Sequence, residues 1–114
     1  MRWVGIGLLA GTMCLSGCAS KYVNAVVKNE SGESVSLVEV DYPSASFGTE
    51  ALAAGGVYNY RFKILGSGPT KVTWTDAARH EHTATGPNLD EGQQGQLIVT
   101  VTPQDARWET HLNR

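Results

Sequence analysis

Tyr58-Asn59-Tyr60-Arg61-Phe62-Lys63-Ile64 alternates without a break, with an aromatic or aliphatic residue at each even position and a polar one between. Successive side chains of an extended strand point to opposite faces, so this period of two specifies a strand with one buried and one solvated face. A helix would put successive apolar members on opposing sides of its axis and bury neither set. Gly55-Gly56 before the run and Gly66-Ser67-Gly68-Pro69 after it are turn formers, which fixes the length of the element.

Working outward, the same grammar recurs. Tyr22 to Lys28 is rich in β-branched residues and closes on the turn cluster Asn29-Glu30-Ser31-Gly32. Ser34 to Tyr42 carries Val35 and Leu37 in one phase and Val38, Val40 and Tyr42 in the other. That phase switch predicts a bulge near Leu37 or a strand buried on both faces there. Pro43 to Gly48 reads as a connection pinned by Phe47, and Thr49 to Leu52 as a short strand or coil. Val72 and Trp74 alternate with Lys71, Thr73 and Thr75; Asp76 to Arg79 is a hairpin loop, and Glu81 to Thr85 the returning strand. Gly86 to Gly95 is the longest polar loop, Gln96 to Thr102 a strong strand ended by Pro103, and Arg107 to Leu112 a last edge strand. No helical period appears beyond the N-terminal segment. About seven short strands with turn residues between them predict an all-β fold, a small antiparallel β-sandwich.

The 114 residues allow one ordinary domain, and a formal net charge of −2 with scattered bases gives no basic patch for nucleic acid. The N-terminus has a different character. Arg2 supplies a positive start, Val4 to Ala10 an apolar run, and small residues follow, the layout of a signal peptide over residues 1 to 17. The run is shorter than the ~20 apolar residues a spanning helix needs.

Leu15-Ser16-Gly17-Cys18 at the end of that run resembles the lipobox of bacterial lipoproteins. The resemblance implies cleavage before Cys18, whose sulfur then carries a diacylglyceryl group and whose amine usually carries a third acyl chain such as palmitate. Cys14, preceded by Gly11-Thr12-Met13, lacks the pattern and would be discarded; a disulfide between the two would close a loop too short to stabilise much. Two or three acyl chains hold a protein at a membrane durably, so the membrane is the first partner expected, through lipid on Cys18. Ala19 and Ser20 are not the Asp that favours inner-membrane retention in Gram-negative cells. The implied location is therefore the outer membrane, facing the periplasm. The expected division is residues 1–17 as cleaved signal, 18–21 as lipidated tether and 22–114 as a β-sandwich free of disulfides. The first strand, Asn29-Glu30-Ser31-Gly32 and the hairpins after it resemble the immunoglobulin-like and transthyretin-like modules of bacterial envelope proteins.

His80-Glu81-His82 is the one cluster with ligand chemistry. On a strand both imidazoles share a face while Glu81 points away, a spacing suited to a transition metal if Asp76 or His111 supplies a third ligand; the alternative is an ordinary polar hairpin. Catalytic signatures are absent. There is no Gly-x-Ser-x-Gly elbow; Asp90-Glu91 lies in a Gly-rich stretch with turn chemistry and matches no calcium loop; Gly66-Ser67-Gly68 lacks the Lys and helix of a phosphate loop. The aromatic residues fit core packing, with Trp108 the least covered. The sequence thus predicts a non-enzymatic binding or structural module of the cell envelope, without cofactor, docking an envelope protein through its edge strands. Two alternatives are a metal-binding module using His80 and His82, and a lipoprotein subunit of a secretion or envelope-spanning assembly.

Overall fold

In a computed structural model that describes residues 21–114, the chain forms eight strands. These are β1 (Val23–Asn29), β2 (Val35–Tyr42), β3 (Ala45–Leu52), β4 (Val57–Phe62), β5 (Gly68–Thr75), β6 (Glu81–Leu89), β7 (Gln94–Val101) and β8 (Ala106–Asn113). Two four-stranded sheets result, β4-β1-β7-β8 and β3-β2-β5-β6, here sheet A and sheet B. The all-β sandwich expected from alternation is present. The signal segment and both cysteines lie outside the described residues.

The inner faces supply the core. Val23, Ala25 and Val27 from β1 and Leu97, Val99 and Val101 from β7 meet Val40, Val72 and Trp74 from sheet B, all essentially buried. Each fully buried aliphatic side chain contributes about 1.5–3 kcal/mol, and both sheets supply such residues from their inner faces.

Four features depart from the expected pattern, each for a local reason. First, the sandwich is not wholly antiparallel: β1 pairs with β7 in parallel, Asn24 beside Gln96 and Val26 beside Ile98. The central position of β1 explains this. The chain leaves sheet A after β1, returns as β4 on one side of it, crosses again to sheet B for β5 and β6, and returns as β7 on the other side. Second, β1 and β2 occupy different sheets, whereas in the immunoglobulin constant arrangement the first, second, fourth and fifth strands share one.

Third, the stretch read as a connection at Pro43 to Gly48 is mostly strand. The turn is confined to Pro43 and Ser44, and β3 pairs along β2 from Tyr42↔Ala45 to Val35↔Leu52. Gly48 is required there, since a Cβ on it would strike the Val38 carbonyl. Fourth, the long polar loop shrinks to residues 90–93, because β6 runs through Gly86-Pro87 to a buried Leu89. A register shift between Pro69 and Lys71 accommodates the irregular pair, and the Trp108 ring of β8 lies where a Gly86 side chain would be, 2.5 Å from its Cβ position. Trp108 thus closes the side of the sandwich between the β6 and β8 edges.

The phase switch in β2 is a bulge. Its register shifts between Ser36 and Glu39, and Leu37 adopts φ 50° with its side chain 64% exposed. Ejecting Leu37 lets Val35, Val38 and Val40 all face the core.

Pairing directions also orient the molecule. β1 and β7 run the same way, so Tyr22, the 43–44 turn, the 63–67 loop, the 90–93 turn and Asn113 share one end, the foot. The 30–34, 53–56, 76–80 and 102–105 loops share the other, the head.

Candidate functional site

The head contains both the predicted ligand cluster and an organising residue that its turn-like sequence conceals. Asp76 follows the last residue of β5 and caps the hairpin: its Oδ1 accepts the amides of Ala78 and His80, each at 2.9 Å, and its own amide donates to the His80 carbonyl. Arg79 completes the turn in the left-handed region at φ 71°. His82, the second residue of β6, points inward, stacks on Trp74 with ring centroids 5.2 Å apart, and brings Nε2 to 2.7 Å from Asp76 Oδ2.

His80 lies in the loop rather than on β6, so the shared strand face does not arise in the expected way. The structure still brings Asp76, His80 and His82 together, with His80 Nδ1 3.9 Å from the same Asp76 oxygen. It does not bring His111, which belongs to β8 in sheet A and pairs with Glu109 at 2.7 Å.

The geometry is that of an anchored hairpin. Two ligands bridged by a metal at ~2.0–2.2 Å from each stand about 3 Å apart or more, whereas His82 and Asp76 are already joined directly. Among the described residues no group of three or more His, Cys, Asp or Glu is disposed to hold a metal ion. The Asp76 carboxyl is held below its ordinary value of 3.8, chiefly by the His82 hydrogen bond and next by the His80 amide, against the opposing effect of desolvation.

Asn29 is the residue the sequence pattern concealed. It ends β1 wholly buried, and its Nδ2 faces the carbonyl oxygens of Glu33, Leu52 and Ala53 at 2.8, 3.0 and 3.1 Å. Its Oδ1 accepts from the Ser31 amide and hydroxyl. One side chain therefore ties the 30–34 loop of the β1–β2 connection to the β3–β4 turn, joining both sheets at the head. Asn-x-Ser-Gly signals a turn, and Gly32 does take φ 92°, but only the fold shows what the Asn amide reaches.

The other candidates fall in ordinary surroundings. Asp90 and Glu91 form the tight foot turn, with Asp90 on Arg114 at 3.1 Å and the Glu91 amide on Ser67 Oγ. Trp74, Phe47 and Phe62 are buried, Tyr42, Tyr58 and Trp108 half-buried, while Tyr60 is 40% exposed and stacked on Phe47. Edge strands β3, β4, β6 and β8 border the sandwich on its two sides. Among the described residues no helix is long and apolar enough to cross a membrane.

The fold and head define a small two-sheet β module with a braced loop end and a tight hairpin. No family model matches the chain, and no curated protein does. Its fold is similar to that of a protein from Eubacterium rectale solved by NMR, with TM-score 0.57, 11% identity, and coverage of 78% of this chain and 87% of that one. At that identity the likeness concerns the fold alone.

Proposed function

We propose that this chain is a lipid-anchored lipoprotein of the bacterial cell envelope, attached through Cys18, whose sandwich is a non-enzymatic binding module. The observation that carries this reading is Leu15-Ser16-Gly17-Cys18 at the end of the apolar run, and the position of the foot accords with it. β1 begins at Val23, five residues beyond Cys18, so covalent geometry allows a reach of at most about 18 Å between anchor and domain. The foot therefore rests close to the bilayer and the braced head projects away from it.

The chemistry of the foot suits that placement. Leu65, 62% exposed, lies two residues after Lys63 in the 63–67 loop, and the Lys63 ammonium lies over the Tyr22 ring at 5.4 Å. Apolar, aromatic and basic groups together are the residues that tolerate a headgroup region. The outer membrane is the proposed location in a Gram-negative cell. The free edges of β3, β4, β6 and β8 are the natural docking lines for an envelope protein partner, because an edge can accept an added strand.

Cys18→Ser should release the protein from the membrane fraction or leave it unprocessed, while Cys14→Ser should leave it membrane-bound and processed. The reverse pattern would overturn the reading. A second reading, a subunit of an envelope-spanning assembly, draws support from the strand order. With β1 and β2 in separate sheets, the transthyretin-like resemblance is favoured over the immunoglobulin-like one. Co-purification of a defined multiprotein complex from solubilised membranes tests it.

A further inference from the structure

The outward faces of the two sheets are built from different residues. Sheet B turns Thr73, Thr75, Thr83 and Thr85 outward with Glu39, Asp41 and Glu81, the threonine-and-charge mixture that suits a solvated strand surface. Sheet A instead turns out primary amides. Registered across its strands are Arg61, Asn24, Gln96 and His111 in one row, with Gln94 and Asn113 in the row below and Asn59 beside Val26, Ile98 and Glu109 in the row above. Asn is disfavoured in strands, yet Asn24 sits in a central one. No hydrogen bond among the described residues joins the Asn24, Asn59, Gln94, Gln96 or Asn113 side chains to the rest of the domain, so hydrogen bonding within the fold does not account for them. Residues that break a local rule without a folding gain point to function.

Two adjoining depressions of about 460 and 490 Å³ open on this face, both lined by Asn24 and Arg61. A primary amide offers donor and acceptor side by side, the complement of a hydroxyl, which also does both. Arg61 adds a cation with no carboxylate in ion-pairing distance among the described residues, braced on Tyr22. Its fork matches a carboxylate. Lys28 adds positive charge along the same face, where Arg107 is paired with Glu30 and Glu109 with His111, whereas acids prevail on the outside of sheet B. Four strands at ~4.8 Å spacing give a row about 14 Å long, enough for a few residues of an extended polymer.

We infer that the outer face of sheet A, centred on Asn24, Arg61 and Gln96, binds a hydroxyl-rich, carboxylate-bearing polysaccharide. The inference deepens the binding-module reading and rests on it, but not on the lipid anchor. The full-length protein in nonionic detergent is applied to immobilised alginate, with dextran and dextran sulfate as comparison matrices. Wild type should bind alginate more tightly than uncharged dextran, and Asn24→Thr and Gln96→Thr should each weaken alginate binding at least tenfold. Thr73→Ala on the opposite face should change nothing.

Threonine is the better strand former, so both amide variants should keep or raise the urea midpoint of unfolding. No alginate binding, binding unchanged in the amide variants, equal loss in Thr73→Ala, or a lowered urea midpoint accompanying the loss would each overturn the inference. So would binding to dextran sulfate as tight as to alginate, which is mere ion exchange. Membrane attachment through Cys18 and partner cross-linking along the edges are separate readouts, so their failure is distinguishable from failure here.

Discussion

Replacing Asn29 with alanine removes the one side chain that joins three segments at the head. The amide nitrogen has two hydrogens and faces three carbonyls, and the amide oxygen accepts two donors from Ser31. About four hydrogen bonds are therefore lost at one time. At roughly 1 kcal/mol net for each, the loss is about 4 kcal/mol, and the Leu52 carbonyl is left facing a small buried void. For a domain of ordinary stability, about 5–15 kcal/mol, that is a large fraction of the total. With a urea dependence near ~1.5 kcal/mol per molar, the unfolding midpoint should fall by about 2–3 M. Equilibrium urea unfolding followed by tryptophan fluorescence reads this directly, because Trp74 is wholly buried. Asn29→Asp should be no milder, since it keeps the acceptor for Ser31 but turns an oxygen toward the backbone carbonyls. Ser31→Ala, which removes only the hydroxyl, should cost about 1 kcal/mol. A loss below about 1 kcal/mol in Asn29→Ala would refute the view that this amide clamps the two sheets.

Further expectations rest on other contacts. Gly86→Ala should destabilise strongly, by about 1–3 kcal/mol or more as for other overpacked sites, because its methyl meets the Trp108 ring and Thr70 Oγ1; Trp108→Leu in the same chain should recover part of the loss by thermal unfolding. Asp76 is depressed below 3.8, so its contribution is complete above that value and is lost as pH falls through the still lower folded pKa; Asp76→Asn should be less stable than wild type at neutral pH, with the gap narrowing below about pH 4. Tyr42 is raised above 10.0, first by burial and then by the nearby Tyr60, so its contribution is present below pH 10 and lost as pH rises through the higher folded value. Tyr42→Phe should flatten the alkaline limb of the stability profile.

The elements that sequence exposed are those whose signal is local. Tyr58, Phe62 and Ile64 alternate because one face of β4 and its extension packs inward, and the bulge at Leu37 follows from a phase change that any straight strand would have to violate. Tyr60 breaks the expectation only by standing at the sandwich edge, where stacking on Phe47 covers one face of its ring. What stayed hidden depends on distant partners. The parallel pairing of β1 and β7 is set by topology, and Gly86-Pro87 reads as loop until the Trp108 ring and the shifted register of β5 are seen. At the head, the sequence offers Asp76 as a third ligand beside His80 and His82, whereas the direct 2.7 Å contact to His82 and the Trp74 stack make the pair a brace of the hairpin. The amides of Asn24, Asn59 and Gln96 lie tens of residues apart in the chain, and only strand register assembles them into one face.

The proposed membrane attachment through Cys18 would set where the head and the amide face are presented, and the intact mass of the protein extracted from its own membranes tests it most directly. The account predicts a chain lacking residues 1–17 and heavier than residues 18–114 by a diacylglyceryl group, with or without one further acyl chain on the amine. A chain that retains Met1 to Gly17, or one that starts elsewhere and carries no added lipid mass, would contradict it.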